Sequence, residues 1–182
     1  MVITKLLRKE EIANNVFRFV FEKPAGFNIG VGQAVSLGLD GEFKPFTPVR
    51  FDDELEFIIK VYFTKGFTED LVKLSEGADV FISEPFSAVS DFGRGVFIAA
   101  GSGITPFLGL IRKGECDLLF YSNKTKEDII LEDELRRWLG SKAVFSLTKE
   151  YLAGYERGRI DKDYLEDHLK DYKGKVFVCE PE

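Results

Sequence analysis

The chain has 182 residues, 45% of them hydrophobic and 31% charged, an ordinary globular composition that excludes a disordered or collagen-like chain. Twenty-five basic against 31 acidic residues leave a net charge of −6, a poor match to a phosphate backbone, so nucleic acid is not an expected partner. Two cysteines and one histidine are too few for a disulfide framework or a metal-ligand set. No apolar run approaches the ~18 residues of a membrane span, and MVITKLLRKEE has no apolar stretch of the kind a secretory signal needs, so the cytoplasm is the expected compartment.

The first half reads as short strands. Residues 16–21 (VFRFVF) alternate between an aromatic and a mixed face, residues 33–39 repeat the pattern, and 55–63 and 78–82 are further β-rich runs. Turn signals separate them at Pro24-Ala25-Gly26, Asp40-Gly41, Asp52-Asp53 and Glu76-Gly77. One helix interrupts them over 68–74, with Thr68 as its expected cap and Glu69 and Asp70 favoured by the helix dipole. Strands at this spacing predict a small antiparallel barrel.

After Asp91-Phe92-Gly93 the rhythm changes. A continuous apolar strand over 96–100 is followed by a glycine turn and a helix over 106–112. Strands over 117–121, 143–148 and 175–179 then alternate with helices over 129–139 and 161–170, the signature of βαβ units and a parallel sheet. Composition divides at the same place: 13 of the 18 phenylalanines precede Arg94, and that half holds ten basic against fifteen acidic residues. Two domains are expected, 1–93 and 94–182.

Two motifs carry chemistry. Ala100-Gly101-Ser102-Gly103-Ile104-Thr105-Pro106 joins a buried strand to a helix, with Thr105 suited to the cap and Pro106 to the first helical position. Glycines there let a backbone approach a pyrophosphate at a helix N-terminus; the same residues also suit a plain tight turn. The third glycine of the dinucleotide fingerprint and its following acid are missing, which excludes an ordinary Rossmann NAD site. In Lys44-Pro45-Phe46-Thr47-Pro48-Val49-Arg50, two prolines stiffen the backbone around an aromatic ring and a hydroxyl flanked by two cations. That suits a stacked planar ligand with a phosphate, or an edge strand whose prolines block aggregation.

Taken with the rest of the chain, these motifs resemble the ferredoxin–NADP reductase superfamily, in particular its cytochrome b5 reductase and flavodoxin reductase branch. KPFTPVR is similar to the family's Arg-Pro-Tyr-Ser/Thr-Pro flavin motif, and Gly32-Gln33 to its Pro-Gly-Gln. The segment Ile58 to Phe63 is similar to Ile-Lys-Val-Tyr, Lys65-Gly66-Phe67-Thr68 to the Gly-x-Met-Ser turn, and Glu84-Pro85-Phe86 to Gly-Pro-Phe. GSGITP, the segment Tyr121 to Ile130, and Val176 to Pro181 (similar to Val-x-Val-Cys-Gly-Pro) complete the order over nearly the whole chain.

The resemblance implies a flavin-binding barrel and a C-terminal NAD(P)-binding α/β domain, with FAD as cofactor and NADPH or NADH as hydride donor. It implies hydride transfer from nicotinamide to flavin and electron release to a small redox protein or larger redox complex. By the same resemblance, Thr47 hydrogen-bonds near the reactive flavin nitrogen, Phe46 packs on the flavin beside Pro48 and Lys44, and Lys60 and Tyr62 line its edge. Thr68 with the backbone of Gly66 and Phe67 holds flavin phosphate; Gly101, Gly103, Thr105 and Pro106 take the nucleotide, with Cys179 near the nicotinamide. Lys149 stands where the NADP-specific branch carries a cation for the 2′-phosphate, and is otherwise a solvated surface residue. Phe46 for Tyr, Lys44 for Arg and Glu180 for Gly depart from the family, and the family continues past this chain's last residue to a terminal aromatic that covers the flavin. A degenerate or regulatory flavin-reductase-like module, or an electron-transfer subunit of a larger reductase complex, is the alternative. His168 is expected on a helix surface, Cys116 buried, Trp138 in the core, and the acids from Glu127 to Glu134 at a helix start.

Overall fold

The computed structural model describes residues 1–87 and 91–180, so Pro181 lies outside the described residues. The chain divides into two units, Met1–Phe92 and Gly93–Glu182, each with its own sheet.

The first unit is built from β1 (Val2–Ala13), β2 (Val16–Glu22), β3 (Gln33–Leu39), β4 (Glu42–Phe46), β5 (Glu54–Lys60), α1 (Phe67–Lys73), β6 (Asp79–Ile82) and β7 (Phe86–Ser87). Its strands lie in the order β4-β3-β6-β1-β2-β5, all antiparallel, with β7 on β3. The expected barrel is barrel-like but not closed by a continuous ladder. Instead the segment after β4 crosses to β5, where the Val49 amide donates to the Glu56 carbonyl (2.8 Å) and the Glu56 amide to Arg50 (2.9 Å). Proline explains the gap: Pro45 and Pro48 have no N–H to offer a ladder, and β4 lies at the sheet edge where proline is tolerated.

Inward residues of β2, β3, β5 and β6 supply the core, with Phe19, Phe21, Val35, Leu37, Leu55, Phe57 and Ile82 all buried. At ~1.5–3 kcal/mol for each fully buried large side chain, this aromatic face is the principal driving force of the unit. The longest strand, β1, was not expected. Its sequence, VITKLLRKEEIA, buries only Thr4 and Leu6, and it is a strand because β2 and β6 pair with it on either side. It also holds α1: the Lys9 ammonium donates to the Val72 and Leu74 carbonyls at the negative end of that helix.

The second unit runs β8 (Gly95–Ala100), α2 (Thr105–Arg112), β9 (Cys116–Asn123), α3 (Glu132–Leu139), β10 (Ala143–Leu147), β11 (Glu156–Arg157), α4 (Lys162–Leu169) and β12 (Val176–Cys179). Every pairing is parallel, in the order β11-β10-β9-β8-β12. Chain order runs outward from β8 to β11 and then returns to the other side of β8, which makes the β8/β12 boundary a topological switch point. Ligands of open parallel sheets bind at the carboxyl ends of the strands at such a point. Helix α2 is fixed to β8 by Phe97 and Phe107, stacked with ring centroids 4.6 Å apart.

Helix boundaries correct three expectations. Helix α1 starts from Gly66, not from a capping Thr68, whose hydroxyl instead accepts from the Tyr62 amide (3.2 Å). Residues Gly101–Ile104 form a 3-10 turn, so α2 begins at Thr105 with Pro106 second, and Thr105 makes no side-chain cap. The expected helix over 129–139 starts three residues late, at Glu132, because Leu131 at φ 54 is left-handed and breaks the chain before it. Trp138 is 37% exposed rather than core, with the Arg112 guanidinium over its ring. Cys116 is buried, and His168 is exposed on α4, stacked on Tyr164. Among the described residues no helix is long and apolar enough to cross a membrane, and no three His, Cys, Asp or Glu side chains converge as metal ligands would.

Candidate functional site

Each unit brings part of the expected residue set together. In the first, Phe46 at the end of β4 stacks on Phe67 at the start of α1, with centroids 5.9 Å apart. Both rings pack on the unit's core, so the Lys44–Arg50 proline motif and the Gly66-Phe67-Thr68 turn are neighbours although 20 residues apart in the chain. Thr68 in turn holds the Tyr62 amide, which places Tyr62 beside the same turn. Thr47 is half-buried and Pro48 buried, so the hydroxyl is carried on a backbone that proline and core packing both immobilise.

Next to this cluster, Tyr62 and Phe63 are 51% and 57% exposed, an apolar surface of the kind a planar ring covers. The first amides of α1 have no partner inside the helix, and only those of Glu69 and Asp70 turn back to the Gly66 carbonyl. An apolar aromatic wall, a fixed hydroxyl and free backbone donors fit the ring and phosphate of a flavin. Two cations do not join this set. The Lys60 ammonium donates to the Asn14 carbonyl, and Lys44 is exposed and ion-paired with Glu42 (3.1 Å). Sequence reasoning did not find Phe92, whose ring lies on Gly32 at φ +77, where a methyl group would be 2.1 Å from it.

In the second unit the glycine turn sits on the switch point. A methyl group built on Gly103 would lie 2.2 Å from the Cys179 carbonyl oxygen and 2.7 Å from its carbonyl carbon. No side chain fits between the turn and the end of β12, so Gly103 is required for close backbone packing, while Gly101 supplies a left-handed φ of +50°. The arrangement puts Gly101, Gly103, Thr105, Pro106 and Cys179 at the carboxyl ends of two adjacent strands, the place in a parallel sheet where a turn leading into a helix suits an anion. The residues fit a nucleotide phosphate.

Burial raises the pKa of the Cys179 thiol, and the neighbouring Glu180 carboxylate raises it further. Cys179 is therefore a neutral thiol at neutral pH, a contact surface and not a nucleophile. Lys149 is exposed on the loop after β10, its amide bonded to the Lys124 carbonyl (2.9 Å), and does not join the glycine turn. Sequence reasoning also missed Tyr121, fully buried on β9, whose hydroxyl reaches the turn from below. The signal was a phenol directly after the apolar run Leu118-Leu119-Phe120, since a hydroxyl buried there needs a partner.

Residues 97–182 match the model of the oxidoreductase NAD-binding domain family. The chain is 29% identical over 220 residues to NADH-cytochrome b5 reductase 1 of Rattus norvegicus, covering 92% of this chain and 72% of that protein. It spans less than a third of the plant nitrate reductases that it also matches. The fold superposes with a TM-score of 0.83 on the CS-b5R domains of human Ncb5or in the NAD+ form, at 24% identity, covering 97% of this chain and 61% of that one. It superposes with a TM-score of 0.80 on a ferredoxin NADP+ reductase from Neisseria gonorrhoeae with bound FAD and NADP, at 16% identity, covering 98% and 85%. The chain therefore has the two-unit fold of these structures, an antiparallel barrel-like unit followed by a parallel nucleotide-type unit, and is similar in sequence to NADH-cytochrome b5 reductases and nitrate reductases.

Proposed function

We propose that this chain takes electrons from a reduced pyridine nucleotide into a bound flavin, FAD, and passes them to a separate redox acceptor. Residues 1–93 then form the flavin-binding part and 94–182 the NAD(P)-binding part. The observation that carries the reading is the seating of the Gly103 turn flush against Cys179 at the switch point, a backbone cradle with no room for a side chain. When bound, the flavin supplies the redox chemistry, a hydride acceptor that releases electrons onward.

The protein's own residues bind and orient. Phe46, held by Phe67, presents an apolar wall that excludes water from one side of the flavin ring. Thr47 offers a hydroxyl donor whose position is fixed by Pro48, so little is lost in ordering it. The Gly66, Phe67 and Thr68 backbone at the start of α1 supplies amide donors to phosphate, and Tyr62 covers the ring edge. On the second unit, Gly101 and Gly103 let the nucleotide backbone approach, and the neutral thiol of Cys179 packs against the nicotinamide without titrating. Lys149 serves the 2′-phosphate if NADPH is the donor. An acceptor bearing a basic face suits the acidic first half, since charge complementarity sets encounter rate.

A second reading, a module that binds flavin or nucleotide without turnover, is favoured by one feature. Glu180 is exposed and its backbone lies against the Gly103 turn, which brings a negative charge close to where a phosphate would sit. Colour and bleaching separate the two. Purified protein with a flavin absorbance band that NADH or NADPH bleaches under anaerobic conditions supports the reductase. A colourless protein that refuses added FAD, or a band that neither nucleotide bleaches, supports the inactive module.

A further inference from the structure

Tyr121 lies on β9 with no solvent exposure, yet its hydroxyl has two backbone partners on different loops. It donates to the Gly101 carbonyl (2.8 Å) and accepts from the Ile130 amide (3.3 Å). Gly101 opens the turn after β8, and Ile130 follows the turn after β9, so a single phenol ties together the two loops at the carboxyl ends of neighbouring strands.

We propose that Tyr121 is a positioning residue for nucleotide binding, its buried hydroxyl fixing the orientation of the Gly101 peptide; the inference rests on the reading of the glycine turn given above. The mechanism follows from peptide geometry. The Gly101 carbonyl and the Ser102 N–H belong to one planar trans unit and point in opposite directions. With the carbonyl held inward by Tyr121, the Ser102 amide is directed away from the buried phenol, as an anion site at a turn requires. Gly101 at φ +50 has no side chain to restrict this peptide, so the hydroxyl adds to the 3-10 turn's own bonds in holding its plane, and its loss loosens that hold.

The other end of the tie is rigid. Ile130 is 1% exposed, leaving its amide no water to turn to. The preceding turn is locked by a reciprocal cap, in which the Thr125 amide and hydroxyl both donate to the Asp128 carboxylate at 3.1 and 2.8 Å. Burial raises the Tyr121 pKa, so the hydroxyl keeps its proton as a donor throughout the working pH range. The ring itself packs on Phe145, a contact that phenylalanine would preserve. The hydroxyl is thus separable from the packing.

Tyr121→Phe tests the inference in the protein as purified, with calorimetric titration by NADH and by NADPH. The expected result is a dissociation constant raised roughly five- to thirty-fold, from loss of one buried hydrogen-bond pair. KM should rise in parallel, with kcat at saturation and flavin content unchanged. A merely structural role would instead lower the melting temperature and leave affinity alone, and equal affinity in variant and unaltered protein overturns the inference while leaving the turn's reading standing. No nucleotide binding by the unaltered protein overturns both. Should the variant fail to fold, hydrogen exchange at the Ser102 and Ile130 amides of the unaltered protein is the second measurement. Slower exchange at both on adding nucleotide supports the tie, and unchanged exchange at both overturns it.

Discussion

Gly103→Ala is the sharpest perturbation of the candidate nucleotide site, because its cost is steric and can be read from the structure. The added methyl would meet the Cys179 carbonyl at 2.2 Å and the Glu180 Cα at 3.0 Å, all backbone, so either the turn or the end of β12 must move. Forced overpacking of this kind costs about 1–3 kcal/mol. Taken up by the turn, that amounts to roughly a five- to 150-fold weaker nucleotide, at ~1.4 kcal/mol per tenfold. Taken up by the fold, it lowers the melting temperature by about 3–10 °C for a chain of this size. Calorimetric titration with NADH and NADPH, beside thermal unfolding, reads both. Gly114→Ala is the control: at φ +77 with open space around it, alanine there costs about 1 kcal/mol of stability and should leave nucleotide affinity alone. A Gly103→Ala protein with unchanged affinity and unchanged melting temperature would refute the close packing on which the site is built.

Thr47→Ala should slow anaerobic flavin reduction roughly a hundred- to a thousand-fold, about the loss of one positioned donor, with flavin content retained; stopped-flow bleaching of the flavin band at saturating nucleotide measures it. Lys149→Ala, at an exposed position, should shift stability by less than about 0.5 kcal/mol, and a raised KM for NADPH with NADH unaffected would identify it as the 2′-phosphate contact. Burial pushes the Cys116 thiol from 9.0 up to about 12. Below pH 9 both folded and unfolded chains keep that proton. Between pH 9 and about 12 only the unfolded chain releases it, so this group lowers stability as pH rises, by up to ~1.4 kcal/mol per unit. Urea unfolding from pH 8 to 10.5, compared with a Cys116→Ala variant, isolates the effect; identical pH slopes would refute it.

Much of the second unit was legible because parallel strands buried on both faces are written as continuous apolar runs. Residues Val96 to Ala100 and the helices between strands could be placed within a few positions. The alternating runs of the first unit were equally clear at β2 and β3. Strand β1 was illegible: its lysines, glutamates and leucines carry no period of two, and only its two flanking partners make it a strand. Helix starts were misjudged at Thr68 and Thr105 for a related reason, since capping preferences are worth ~1 kcal/mol and the surrounding turns outweigh them.

From the order of residues one can read two compositions, two rhythms, a stiff aromatic-hydroxyl segment and a glycine turn, because these depend on neighbours in the chain. Distance along the chain hides the rest. The stacking of Phe46 on Phe67, the seating of Gly103 against Cys179, the diversion of Lys60 to the Asn14 carbonyl and the reach of Tyr121 to Gly101 join residues 20 to 76 positions apart. Such contacts are set by sheet order and register, and a chain fixes these only when its apolar faces are buried together.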